Sequence, residues 1–165
     1  METNLNLNLP KFSASGFRGK SDVTKFHHGV LSEKIIASAI SVHKGLGPGF
    51  LESIYEEAIA TELTHQKIPY QRQYPIFIRY KEKVIGMHRL DLVVEDKIVV
   101  ELKAVKDIDD SHLATCLSYL KATGLDVGLI INFSRATIRI RRVVRTIALT
   151  TEAGSAEYAE NFLKN

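Results

Sequence analysis

Asp91 lies in the segment Arg89-Leu90-Asp91-Leu92-Val93-Val94, and Glu101 and Lys103 lie in Val99-Val100-Glu101-Leu102-Lys103. Both segments read as strands. A charge inside such a strand is costly unless it is paired or metal-bound. Glu101 and Lys103 are two apart, so they share one face of a sheet. Two carboxylates with a carbonyl or a water can hold Mg²⁺ (or Mn²⁺), a hard cation that takes oxygen ligands. Such a metal polarises a phosphate and acidifies water. A neighbouring lysine can orient or deprotonate that water, or stabilise developing charge. The chemistry these types imply is hydrolysis of a phosphodiester bond. The plainer reading of the same residues is a cross-strand salt bridge on a solvated face.

The chemical reading makes a demand on the turn between the two strands. Directly opposite residues of an antiparallel pair point to one face. A two-residue turn at Glu95-Asp96 pairs Asp91 with Val100 and turns Asp91 away from Glu101. A three-residue loop, residues 95–97, pairs Asp91 with Glu101. An odd-length turn or a bulge is therefore expected.

The elements that must position these side chains show as periodicities. From Leu31 the pattern is helical, with Ser32 as N-cap and Ile35, Ile36, Ala39, Ile40 and His43 at helical spacing. Gly45, Gly47, Pro48 and Gly49 break it. Leu51, Ile54, Tyr55, Ala58, Ile59 and Leu63 form the apolar stripe of a second helix, ending near Lys67. Tyr55 is expected in the core with its hydroxyl on a polar neighbour. Strands follow at 76–80, 87–94 and 98–102. Asp109, Asp110 or Ser111 caps a third helix carrying Leu113, Cys116, Leu117 and Leu120 and closed by Gly124. Its His112 is a cap, a buried residue or a neighbour of the site. Residues 127–131 are a continuous apolar run, as in a central buried strand. Residues 138–144 read as a last strand with alternating arginines, and 152–163 as a loose helix. The expected fold class is α/β, a mixed sheet of four or five strands flanked by helices. Residues 1–29 read as a disordered or loosely packed arm, 30–148 as the folded domain, and 149–165 as a C-terminal tail.

The 165 residues, 45% hydrophobic and 25% charged, fit one soluble domain with a core. No apolar run approaches the roughly 18 residues of a membrane span. The N-terminus lacks the basic-then-apolar pattern of a secretory signal. One cysteine, Cys116, excludes an internal disulfide and points to a reducing, intracellular setting. Net charge is +3 with a pI near 8.9, which permits a polyanionic partner without demanding one. The distribution says more: Arg135, Arg139, Arg141, Arg142 and Arg145 follow one another with no acid between them. Arg139 and Arg141 share a face and suit backbone phosphates, and a charged, solvated edge strand is the alternative. Arg89 either contacts substrate or pairs with a site acid.

Asp91, nine intervening residues, then Glu101-x-Lys103 resembles the PD-(D/E)xK nuclease motif, the core of restriction-endonuclease-like folds. Gly49-Phe50-Leu51-Glu52-Ser53-Ile54-Tyr55 resembles the signature of the GxxExxY protein family, a branch of that superfamily. His112, Tyr119-Leu120-Lys121, Thr123-Gly124 and Gly128-Leu129-Ile130-Ile131-Asn132-Phe133 resemble its later half, so the similarity spans about Leu31 to Val144. The resemblance implies a Mg²⁺- or Mn²⁺-dependent nuclease acting on nucleic acid, DNA first. It implies that Asp91 and Glu101 ligate the metal, that Glu52 is an extra carboxylate beside it, and that Lys103 is the catalytic lysine. Without the resemblance, Glu52 reads as a first-turn acid favoured by the helix dipole. Arg89, Arg139, Arg141 and Arg142 are the candidates for nucleic-acid contact. Similar sequences often carry Gln one turn after the helix histidine, where this chain has Thr115. That departure favours the alternative, a nucleic-acid- or protein-binding module of the same fold with weak or lost catalysis. Dimers are common among similar nucleases, which makes a homodimer a further expectation.

Overall fold

A computed structural model describes residues 28–145. The elements run α1 (Gly29–Leu46), α2 (Glu52–His65), β1 (Tyr70–Tyr80), β2 (Lys83–Val94), β3 (Ile98–Lys103), α3 (Asp110–Thr123), β4 (Val127–Asn132) and β5 (Arg139–Val144). The five strands form one sheet in the order β1-β2-β3-β4-β5. Only β3 and β4 run parallel, joined by the crossover through α3, and the other neighbours are antiparallel. The fold class is α/β, as the strand and helix order implies.

Each face of the sheet has its own apolar layer. Leu92, Val94, Ile98, Val100, Leu129 and Ile131 pack with Ile35, Ala39, Tyr55, Ile59 and Leu63 of α1 and α2. Val93, Val99 and Ile130 pack with Cys116 and Leu120 of α3. The two sets alternate along β3 and β4, which is why these strands read as unbroken apolar runs. At Gly128 the helix comes so close that a Cβ would lie 2.4 Å from Cys116 Sγ.

The β2–β3 connection is the odd-length loop the site requires. Val94 pairs with Ile98, so three residues make the turn, and Glu95 and Asp96 both take left-handed backbone (φ 50° and 53°). Several boundaries differ from the sequence reading. β1 starts at Tyr70 and β2 at Lys83, because an edge hairpin is held by its ladder and tolerates polar residues on both faces; Pro75 fits an edge strand for the same reason. Ser32 does not cap α1. The helix starts at Gly29 so that Leu31 is buried, which leaves Ser32 inside the first turn with His28 as the cap. In α2 the buried stripe is Tyr55, Ile59 and Leu63, while Leu51 and Ile54 are exposed. Leu117 is exposed too, since α3 buries only Cys116 and Leu120 fully. Asp109 caps α3, accepting from the Ser111 and His112 amides, and Gly124 closes it in left-handed backbone. The expected N-terminal arm, apart from His28 and Gly29, and the expected tail lie outside the described residues.

The Gly128–Cys116 contact yields a stability prediction. Gly128→Ala should cost about 1–3 kcal/mol by overpacking, measured by urea denaturation. Adding Cys116→Ala should recover part of that loss. An equal cost with and without the Cys116 sulfur would mean that the contact is not the cause.

Candidate functional site

The site forms where β2 leaves β3. Their ladder runs through Leu92–Val100 and stops, so Asp91 and Glu101 occupy the next facing position without strand pairing. Asp91 instead reaches over with its side chain: its Oδ2 accepts the Leu102 N–H at 2.8 Å. Two residues further along the same edge, Glu52 Oε1 accepts the Ala104 N–H at 3.0 Å. Glu52 is the first residue of α2 and is placed there by Tyr55. The Tyr55 ring stacks on Phe133 at 4.3 Å, and its hydroxyl donates to Gly47 O at 2.8 Å. Lys103 is held from the other side, its carbonyl accepting the Phe133 N–H at 2.9 Å.

Glu52, Glu101, Lys103, His112 and Thr115 line one cavity of about 350 Å³. Asp91 borders this group through Glu101. Glu101 is 5% exposed; its Oε2 lies 3.5 Å from Lys103 Nζ, and its buried Oε1 has no partner. Burial, then the Asp91 charge, pushes the Glu101 carboxyl up to about 7, against the opposing pull of Lys103. Asp91 is raised too, first by burial and further by Glu56 and Glu52, while the Leu102 N–H and Lys103 pull the other way. Burial, then Glu101 and Asp91, raises Tyr119 on α3. Cys116 is a buried thiol pushed up to about 12, first by burial and then by Glu101.

Two contributors were missed in the sequence. Glu56 follows Glu52 by one helical turn and is 7% exposed; it accepts from Arg72 Nε at 2.8 Å and Gln73 Nε2 at 2.7 Å. Its i+4 spacing from Glu52 was the available signal. Gln73 lies between the Arg72–Leu92 and Tyr74–Leu90 pairs, opposite Asp91, in left-handed backbone (φ 49°). Nothing in the sequence shows it, because it depends on a β1 start that the sequence does not mark. His112 completes the α3 capping box with its Nδ1, which leaves the rest of the ring against the cavity.

The arginines divide. Arg139 and Arg141 stand opposite Asn132 and Ile130, exposed on the α3 face, two strands or about 10 Å from β3. Arg142 stands opposite Leu129, on the other face. Arg89 is exposed, with Nη1 3.4 Å from Gln73 O. Arg135 is tied to Asp107 by two 2.8 Å contacts, and Arg145 to Asp126 at 2.8 Å, so the basic segment is not uniformly available.

Among the described residues, no group of three or more His, Cys, Asp or Glu side chains is arranged to hold a metal ion. The donor set still fits a hard cation in part. A buried carboxylate oxygen lacks a partner, a second carboxylate lies beside it, and burial destabilises both charges. This gives a pH prediction. The unfolded chain releases the Glu101 proton near 4.5 and the folded chain near 7. The protonated carboxyl therefore favours folding below pH 4.5, and that stability is lost as pH rises to 7. The full difference is on the order of 3 kcal/mol. Thermal melts in EDTA should show wild type losing stability relative to Glu101→Gln across this window. Parallel curves would refute the assignment.

Residues 30–143 match the sequence profile of the PD-(D/E)XK nuclease superfamily. No curated protein is detectably similar to the chain. A solved structure described as the crystal structure of SSO0001 aligns with 15% identity and a TM-score of 0.48, over 73% of this chain and 61% of that one. The chain thus spans less than two thirds of that structure's length. The match covers both strands of the acidic pair, the helix that brings Glu52 and the crossover to β4; the chain belongs to the PD-(D/E)XK nuclease superfamily.

Proposed function

We propose that the protein hydrolyses phosphodiester bonds in nucleic acid, DNA first, with Mg²⁺ or Mn²⁺ as cofactor. The observation that carries the reading is the buried, partnerless Glu101 Oε1 beside Asp91, on a cavity that also holds Lys103. Asp91 and Glu101 would hold the cation, with waters or backbone oxygen completing its shell and Glu52 adding negative charge nearby. A bound cation would polarise the scissile phosphoryl group and offset its charge. Lys103, on the wall of the same cavity, would orient the attacking water or brace the phosphoryl oxygens as charge builds. Arg139 and Arg141 extend positive charge across the same face and suit backbone phosphates, and Arg89 and Arg142 are further contacts. We assign the chain to the GxxExxY branch on its Gly49–Tyr55 segment, and place it inside the cell on its single buried cysteine. Among the described residues no helix is long and apolar enough to cross a membrane.

Two observations favour a second reading, a binding module without catalysis. Thr115 offers only a short hydroxyl to the cavity, and the acids there do not form a three-ligand cage.

The test is incubation with single- and double-stranded DNA and RNA in Mg²⁺, Mn²⁺ or EDTA. Cleavage should need metal and fall by at least a hundredfold in both Asp91→Ala and Lys103→Ala. Cleavage that survives both changes sinks the catalytic assignment, and binding without cleavage selects the module. Separately, Arg139→Ala and Arg141→Ala should each lower the salt dependence of binding by about one phosphate contact. Arg135→Ala should leave that slope unchanged, and an equal effect at all three would refute the division among the arginines.

A further inference from the structure

Phe50, Leu51 and Ile54 are 47%, 75% and 46% exposed, grouped at the entrance to α2. Their exposure is built in. Gly47 and Gly49 turn the chain through positive φ (69° and 109°), a conformation that favours glycine. The Phe50 N–H donates to the Tyr55 hydroxyl at 3.2 Å, and the Phe50 ring stands edge-on to Tyr55 at 6.2 Å. The Tyr55–Phe133 stack that places Glu52 thus also holds Phe50 outward. Beside Phe50 and Leu51 lies a cavity of about 610 Å³, within the range of small-ligand pockets. Glu52 is a wall of this cavity and of the one holding Glu101 and Lys103, and the two flank consecutive residues, Ala104 and Val105.

Resting on the reading of a phosphodiester site, we propose that this cavity is a nucleobase subsite. The base next to the scissile phosphate lies against Phe50, and the substrate is nucleic acid with an unpaired strand at the cut. Bases of an intact duplex are stacked inward and present no face to a side chain, whereas an unpaired base stacks on an aromatic regardless of sequence. The site thus prefers single strands, flaps or frayed ends over continuous duplex.

The test is binding of the full chain to a 2-aminopurine-labelled single-stranded oligonucleotide and to the same sequence as duplex, in EDTA and in Ca²⁺. Phe50→Ala should weaken single-strand binding about tenfold and remove the fluorescence quenching, with duplex affinity within twofold. Phe50→Trp should keep both signals. An unchanged single-strand affinity, or an equal loss on both substrates, overturns the subsite. So does light scattering in which Phe50→Ala turns a dimer into a monomer, since the loop is then a self-interface. A wild-type protein that binds no nucleic acid overturns this proposal and the proposed function together. Phe50-dependent quenching without cleavage in Mg²⁺ keeps the subsite and removes only the catalytic reading.

Discussion

β3 keeps its partner on one side and loses it on the other. Beyond Val100 it stays paired with β4, while β2 turns away with β1. The amides of Leu102 and Ala104 then face an open edge, and an unpaired amide in a partly buried position is costly. Two carboxylates fill the role of the missing strand, Asp91 from β2 and Glu52 from α2. With an extended rise of about 3.3 Å per residue, these amides are some 6–7 Å apart, which sets the spacing of the acids along the edge. The candidate site is thus a consequence of where one ladder ends.

Concentrating acid at this edge carries an electrostatic cost. Glu56 is matched by Arg72, and Glu101 is only loosely matched by Lys103. Asp91 and Glu52 accept from backbone amides. Burial raises both Asp91 and Glu101; the Asp91 charge adds to the shift at Glu101, and Glu56 and Glu52 add to it at Asp91, so protons stabilise this arrangement in acid. The packing resists rearrangement. α3 lies against Gly128 through Cys116, and α2 is anchored by the Tyr55–Phe133 stack. Acids held together in this way are what a cation would exploit.

The sequence determined the apolar runs that make β3 and β4 central strands, a helix cap among Asp109, Asp110 and Ser111, the stop at Gly124, and the acids and lysine at 91, 101 and 103. Each is a local matter of periodicity, side-chain capping or the cost of charge in an apolar run. It also made an odd-length turn or a bulge between the two strands a requirement, because a one-residue slip reverses the face of every side chain in a strand. Only the tertiary structure decided where β2 parts from β3, and with it that Asp91 bonds a backbone amide, that Glu101 is left with an unpartnered oxygen, and that Glu52 and Glu56 reach this edge. It also decided that Arg135 and Arg145 are tied to acids while Arg139 and Arg141 stand exposed, and that Leu51 and Ile54 stay in water. These outcomes depend on contacts between residues tens of positions apart, which no local pattern records.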